Sequence, residues 1–123
     1  GAAEHILVEG NENLILCERG VTSPHTHKIT SRFMLDKQAI VAANELTTFP
    51  IISDPSHASF WAPWVEKLAL ASVAGGCDGL IIEVHPNPIK SKVDPLQPLN
   101  YKQFSKLHKK LKIISKNLSR KII

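Results

Sequence analysis

The sequence predicts an α/β fold, built as the C-terminal part of a (β/α)8 barrel with about three βα units. Three short apolar runs, at 14–17, 50–53 and 80–82, are each followed by charged or imidazole residues and then by a helix-like stretch. Continuous apolar runs are typical of strands buried on both faces of a parallel sheet. Polar groups gathered at the carboxyl ends of such strands indicate the active-site rim of a βα barrel.

The end of a helix, stopped by Gly10, precedes the three βα units. The first strand is predicted at about 14–18 and a loop at 20–32. A helix is then predicted from about Asp36, which can cap it, to Leu46.

The second unit has its strand at about 50–53 and a loop over 54–61. Its helix is predicted from about Pro63 to Ala74 because proline suits the first turn and glycines follow.

The third unit has its strand at about 79–84. A proline-rich loop leads to a last helix at about 100–118, whose apolar residues recur at spacings of three and four.

Length and composition indicate one unit, a single partial barrel domain over 1–123. A complete barrel needs eight βα units and roughly 250 residues, so the sequence predicts the last three-eighths of one. Apolar residues make up 43% of the chain, which fits a globular protein. The sequence predicts no membrane span and no secretory signal, and we expect a cytoplasmic protein with two buried free thiols, Cys17 and Cys77.

Charge is unevenly distributed along the chain. Residues 95–123 carry eight Lys or Arg and no acidic residue, whereas the whole chain has a net charge of +4. The spacing favours a helix with one docked face and one solvated lysine face. The alternative is a non-catalytic module whose basic helix binds nucleic acid or an acidic partner, although no nucleic-acid motif is present.

Four residues carry the chemistry that the pattern predicts. His57, Glu83 and Asp94 follow strand ends, and imidazole with carboxylates suits a divalent metal such as Mn, Fe, Co or Zn. The alternative is that each caps a helix or forms an ion pair. Arg19 ends the first run and suits a phosphate or carboxylate, or an ion pair with Glu18 or Asp54. His25 and His27 are a weaker metal candidate.

Three motifs in order resemble 3-deoxy-7-phosphoheptulonate (DAHP) synthases of the Iβ type, which are related to 3-deoxy-manno-octulosonate-8-phosphate synthases. They are Leu-Cys-Glu-Arg-Gly at 16–20, Ser-Asp-Pro-Ser-His-Ala at 53–58 and Ile-Glu-Val-His-Pro-Asn-Pro at 82–88. Asp94 and Gln97 match a further Ser-Asp-Gly-x-Gln segment, with Pro95 in place of glycine. The resemblance covers nearly the whole chain and implies barrel strands six to eight.

The resemblance implies a metal-dependent condensation of phosphoenolpyruvate with erythrose 4-phosphate that releases phosphate, at the start of the shikimate pathway to aromatic amino acids. It implies His57, Glu83 and Asp94 as metal ligands, His57 and Asp54 as catalytic residues, and Arg19, Arg32 and His57 as substrate-binding residues. It also implies the remaining N-terminal barrel segment as a partner and a homo-oligomer when intact.

The chain departs from the family pattern. The Gly-Pro-Cys and Lys-Pro-Arg-Thr segments are absent, and the basic Gly-Arg-Arg-Asp segment has become Ser-Phe-Trp-Ala at 59–62. The altered loop 21–32 and the lost arginine pair leave arabinose 5-phosphate as an alternative aldose. Asp-Pro-Ser-His at 54–57, in place of Asp-Ala-Thr-His, favours erythrose 4-phosphate.

Overall fold

The computed structural model describes residues 1–24 and 32–122. Their helices and strands follow in the order α1 Ala2–Val8, β1 Leu16–Glu18, α2 Lys37–Leu46, β2 Ile51–Ser53, α3 Pro55–Ser59, α4 Ala62–Ala74, β3 Gly79–Leu80 and α5 Tyr101–Asn117, with a 3-10 turn at Pro88–Lys90. None of the described helices is both long enough and apolar enough to cross a membrane.

The three strands form a parallel sheet in the order β1-β2-β3, as the sequence predicts. Leu16 lies opposite Ile51, and Ser53 lies opposite Leu80. Because the strands are parallel, their carboxyl ends meet at one edge, where residues 19, 54 and 81 leave the sheet.

One face of the sheet is covered by helices. Ile51, Val65, Ala69, Leu107 and Leu111 pack together in the core between β2, α4 and α5. The Ser53 hydroxyl, also on this face, hydrogen-bonds the Ser72 hydroxyl of α4 at 2.9 Å. Helix α5 therefore buries an apolar face, as predicted. Its lysines at 102, 106, 109, 112 and 116 are exposed.

The other face of the sheet is open. Its side chains alternate with the buried ones, and Ile15 and Ile81 are 62% and 43% exposed. Cys17, on the same face, is also exposed, so the prediction that both cysteines are buried is wrong for this residue. Only Cys77 is buried.

Helix ends agree closely with prediction. The Asp36 carboxylate accepts from the Ala39 amide and caps α2. Asn100 and Gln103 form a reciprocal capping box at the start of α5. Gly10 follows α1 with φ of +83°.

Two elements differ from prediction. The predicted loop 54–61 contains α3, because Pro55 occupies its first turn and the Asp54 carboxylate caps it. The third strand ends at Leu80 rather than near 84. Beyond it, the amide of Glu83 donates to the Ser56 hydroxyl at 3.0 Å and Val84 forms an isolated bridge with Leu99, so these residues pair outside the three-stranded sheet.

Candidate active site at the carboxyl ends of the strands

Asp54 and His57 form a fixed pair immediately after β2. Asp54 caps α3 and is 2% exposed. Its Oδ1 accepts the His57 backbone amide at 3.0 Å, and its Oδ2 lies 2.7 Å from Nδ1 of the same residue. A carboxylate on Nδ1 favours a proton there, which leaves Nε2 of the neutral ring as the free nitrogen.

Arg19 joins this pair from the end of β1. Its Nε lies 3.4 Å from Asp54 Oδ2, so the predicted ion pair with Asp54 is present. The Arg19 side chain is 60% exposed, and its guanidinium has five N–H donors. Asp54 therefore orients the Arg19 guanidinium but leaves most of its N–H donors free, so an oxyanion can still bind there.

Glu83 lies on the other side of His57. Its Oε2 is 3.8 Å from His57 Nε2, and the same oxygen accepts from the Gln97 amide nitrogen. Gln97 is fully buried, and its Oε1 has no hydrogen-bond partner among the residues that the structure describes. The Nε2 group of Gln97 therefore fixes the Glu83 carboxylate, while its Oε1 atom accepts no hydrogen bond from the described residues.

Asp94 lies apart from these two carboxylates and pairs with Arg32. Arg32 Nη2 is 3.1 Å from Asp94 Oδ1. Asp94 has φ of +47° and precedes a proline, a strained conformation for a residue with a side chain. The Gln97 amide donates to the Asp94 carbonyl at 3.2 Å and holds this turn.

The predicted metal ligands are thus brought together in part. His57 and Glu83 face each other, whereas within residues 1–24 and 32–122 no three His, Cys, Asp or Glu side chains converge as a metal site. Two ligands of one ion lie about 3.0–3.5 Å apart when each bond is about 2.1 Å. The 3.8 Å between Nε2 and Oε2 is close to this span. A carboxylate on the far nitrogen is also the usual support of a metal-binding histidine, so this pair fits a divalent ion.

Several residues here were not predicted to have these contacts. Ser56 fixes the Glu83 backbone, and Phe60 lies beneath Arg32, with the guanidinium carbon 4.3 Å from the ring centroid. The sequence offered only weak indications: a serine within a matched motif and an aromatic residue at a position where the family pattern is basic. His25 and His27 lie outside the described residues.

Neither of the two cysteine thiols is suited to act as a metal ligand or nucleophile at this edge of the sheet. Although Cys17 is exposed as a residue, partial desolvation of its thiol, and next the Asp54 charge, raise the pKa of Cys17. Burial raises the pKa of Cys77 to about 11. Neither environment stabilises a thiolate, which a metal ligand or nucleophile would need.

Comparisons with known proteins agree with this arrangement. The DAHP synthetase I family model matches residues 1–120. A phospho-2-dehydro-3-deoxyheptonate aldolase of Thermotoga maritima is 36% identical over 121 residues, which cover 98% of this chain and 35% of that enzyme. A 2-dehydro-3-deoxyphosphooctonate aldolase of Geobacter sulfurreducens is 33% identical over 121 residues, covering 89% of this chain and 42% of that one.

A solved structure has the same fold. The truncated form of 3-deoxy-D-arabino-heptulosonate 7-phosphate synthase from Thermotoga maritima superposes with a TM-score of 0.93 at 34% identity. The match covers 99% of this chain and 45% of that one. The chain therefore spans less than half the length of these relatives.

Proposed function

The chain belongs to the DAHP synthetase I family, and on that premise we propose that it is part of an enzyme condensing phosphoenolpyruvate with erythrose 4-phosphate. Arg19, Asp54, His57 and Glu83 carry the proposal, because they stand in contact at one edge of the sheet at the positions of the family motifs. A barrel segment with a different role would not need to keep these four side chains in contact.

The reaction requires an enol carbon to meet an aldehyde. A bond forms between C3 of phosphoenolpyruvate and the aldehyde carbon, water adds to C2, and the C2–O bond breaks to release inorganic phosphate. Arg19 would grip the phosphate of phosphoenolpyruvate, because its planar fork matches a phosphate and its side chain is 60% exposed. Holding both reactants in line supplies much of the rate enhancement.

His57 would act at the aldehyde end. Asp54 orients the ring and keeps the proton on Nδ1, so Nε2 points towards Glu83 and the space beside it. We assign His57 to substrate binding and catalysis, with Asp54 acting through it. Arg32 would contact the aldose phosphate with the donors that Asp94 leaves free.

A divalent ion would be held by His57 and Glu83, with Asp94 as the third ligand. Such an ion, when bound, polarises the aldehyde carbonyl as a Lewis acid. The His57–Glu83 pair fits this role as it stands. To act as a ligand, the Asp94 carboxylate would have to leave its ion pair with Arg32 and bind the ion instead. Mn, Fe, Co and Zn all accept one imidazole and two carboxylates as ligands.

The N-terminal part of the barrel is the proposed partner. Both edges of the sheet are unpaired in the described chain, and one apolar sheet face is open. A groove of about 610 Å³ runs beside β3 and α5, with Ile82, Val84, Phe104 and Leu111 in its lining. Five further βα units would pair with both edges and cover these surfaces.

The identity of the aldose substrate can be tested directly with the full-length gene product. Phosphate release from phosphoenolpyruvate is measured with erythrose 4-phosphate and with arabinose 5-phosphate. We expect turnover of the four-carbon sugar, and Arg19→Ala should raise KM for phosphoenolpyruvate about 100-fold or more, because a bidentate charged contact is lost. Lys109→Ala, which removes an exposed lysine of α5, is the control.

A second candidate is a synthase that uses arabinose 5-phosphate. The 33% identity to a 2-dehydro-3-deoxyphosphooctonate aldolase favours it. Turnover of the five-carbon sugar alone would establish this candidate, and turnover of neither sugar would reject both.

A further inference from the structure

Phe60 adopts a backbone conformation that a bulky residue rarely takes. It ends α3 with φ of +57° and ψ of +14°, in the left-handed region where glycine is the usual choice. Its amide donates to the Ser56 carbonyl at 3.0 Å, so the residue is fixed as the helix cap. A strained residue that persists at a site's edge points to a role for its side chain.

That side chain lies against Arg32. The guanidinium carbon is 4.3 Å from the ring centroid, within the range of a cation–π interaction. The next residue, Phe33, donates its amide to the Ala58 carbonyl of α3 at 2.8 Å. Helix α3 therefore fixes Arg32 in two ways. It binds the backbone of the next residue, and its C-terminal cap, Phe60, provides the ring beneath the guanidinium.

The contacts leave the arginine charged and available. A ring face attracts the guanidinium without consuming any of its N–H donors. Asp94 takes one donor group, Nη2. The Arg32 side chain is 35% exposed, so the remaining donors can reach a ligand.

We propose that Phe60 is a positioning residue that holds Arg32 for the phosphate group of the aldose substrate. This inference rests on the proposed function, in which Arg32 contacts that phosphate. The Gly-Arg-Arg-Asp segment expected from the family resemblance is Ser-Phe-Trp-Ala at 59–62 in this chain, so the Phe60 ring stands where that pattern has an arginine.

Full-length protein with Phe60→Leu tests the assignment, because leucine keeps an apolar side chain and removes the ring. KM for the aldose phosphate should rise about tenfold, while kcat and KM for phosphoenolpyruvate change less than about twofold. Phe60→Tyr restores a ring and should restore KM. Phe49→Leu, a partly buried phenylalanine before β2 at the opposite end of the sheet, is the matched control. Where Phe60→Leu does not fold, Phe60→Asn replaces it, since asparagine accepts this backbone conformation.

Three results would overturn the assignment. They are an equal rise of both KM values, a Phe60→Tyr variant as impaired as Phe60→Leu, or an undiminished Phe60→Leu effect in an Arg32→Ala background. If the wild-type protein turns over neither aldose, the proposed reaction is rejected. Positioning of Arg32 by Phe60 is then tested by titration with inorganic phosphate, with binding followed through the Arg32 Nε–H NMR resonance. A Kd about tenfold higher in Phe60→Leu supports positioning, and an unchanged Kd refutes it.

Discussion

Asp54 binds His57 twice, through the backbone amide at 3.0 Å and through Nδ1 at 2.7 Å. The first contact caps α3, and the second fixes the imidazole ring. A single carboxylate thus couples the start of a helix to the direction of Nε2, the nitrogen that we propose acts at the site.

Asp54→Asn should weaken Mn²⁺ binding by about 10- to 100-fold, because the support behind His57, the proposed metal ligand, is lost. The folded state should be little affected, since asparagine also caps a helix. Calorimetric titration of the full-length protein with Mn²⁺ measures the effect. Asp36→Asn, at the cap of α2, is the matched control. Unchanged affinity in Asp54→Asn would show that His57 needs no such support.

Gln97→Leu should separate stability from metal binding. The substitution removes the orphaned Oε1 and the donor to Glu83, so the free energy of unfolding should change by less than about 1 kcal/mol as the two effects offset. Mn²⁺ affinity should still fall about tenfold, because Glu83 loses its fixed orientation. Chemical denaturation and calorimetry measure the two quantities. A parallel loss of both would mean that Gln97 is only structural.

Gly20→Ala should destabilise the protein by about 2–4 kcal/mol. Gly20 has φ of +101°, and an added Cβ would lie 2.7 Å from the Phe33 Cβ, so backbone strain and overpacking add together. Gly10→Ala, at φ of +83° with nothing within 4 Å, should cost only about 1 kcal/mol. Thermal unfolding compares them, and equal losses would show that the close approach of Phe33 is unimportant.

The Glu66–Lys110 ion pair should give a pH-dependent contribution to stability. The hydrogen bond from Lys110 lowers the pKa of Glu66 in the folded state. The stabilisation is therefore present above the unfolded-state pKa of about 4.3 and is lost as pH falls through the lower folded-state pKa. Since Glu66 is partly exposed, we expect about 0.5–1 kcal/mol.

Lys110→Met measures this contribution by denaturation at pH 7 and at pH 3. The variant should be less stable than the wild type at pH 7, and the difference should shrink at pH 3. Lys109→Met, on the exposed side of α5, is the control. A difference that stays constant with pH would contradict the assignment to the ion pair.

Cys17 should report whether the open sheet face is covered by the rest of the barrel. In residues 1–123 alone the thiol is exposed and should react with iodoacetamide at pH 9. In the native full-length protein we expect it to react at least about tenfold more slowly, since barrel interiors are packed with side chains. Mass spectrometry locates the label. Equal rates in native and denatured full-length protein would contradict closure of a barrel over this face.

Much of the fold was contained in the sequence. The three apolar runs fixed the parallel strands, and local groups such as Asp36, Pro63 and Asn100 fixed helix starts within one or two residues. These features depend on neighbours close in sequence, so pattern and propensity suffice to predict them. Because the strands are parallel, the sequence also predicts that His57, Glu83 and Asp94 lie at one edge with Arg19 close by. Arg19 and Glu83 do flank the Asp54–His57 pair, whereas Asp94 pairs with Arg32.

Only the tertiary structure decided how those side chains pair. Beyond the end of β3, the Glu83 amide binds the hydroxyl of Ser56, 27 residues away, and the partner of Asp94 is Arg32, 62 residues away. Phe60 meets Arg32 because α3 and a separate loop pack together. Such contacts reflect three-dimensional competition among several donors and acceptors, which no local pattern in the sequence records.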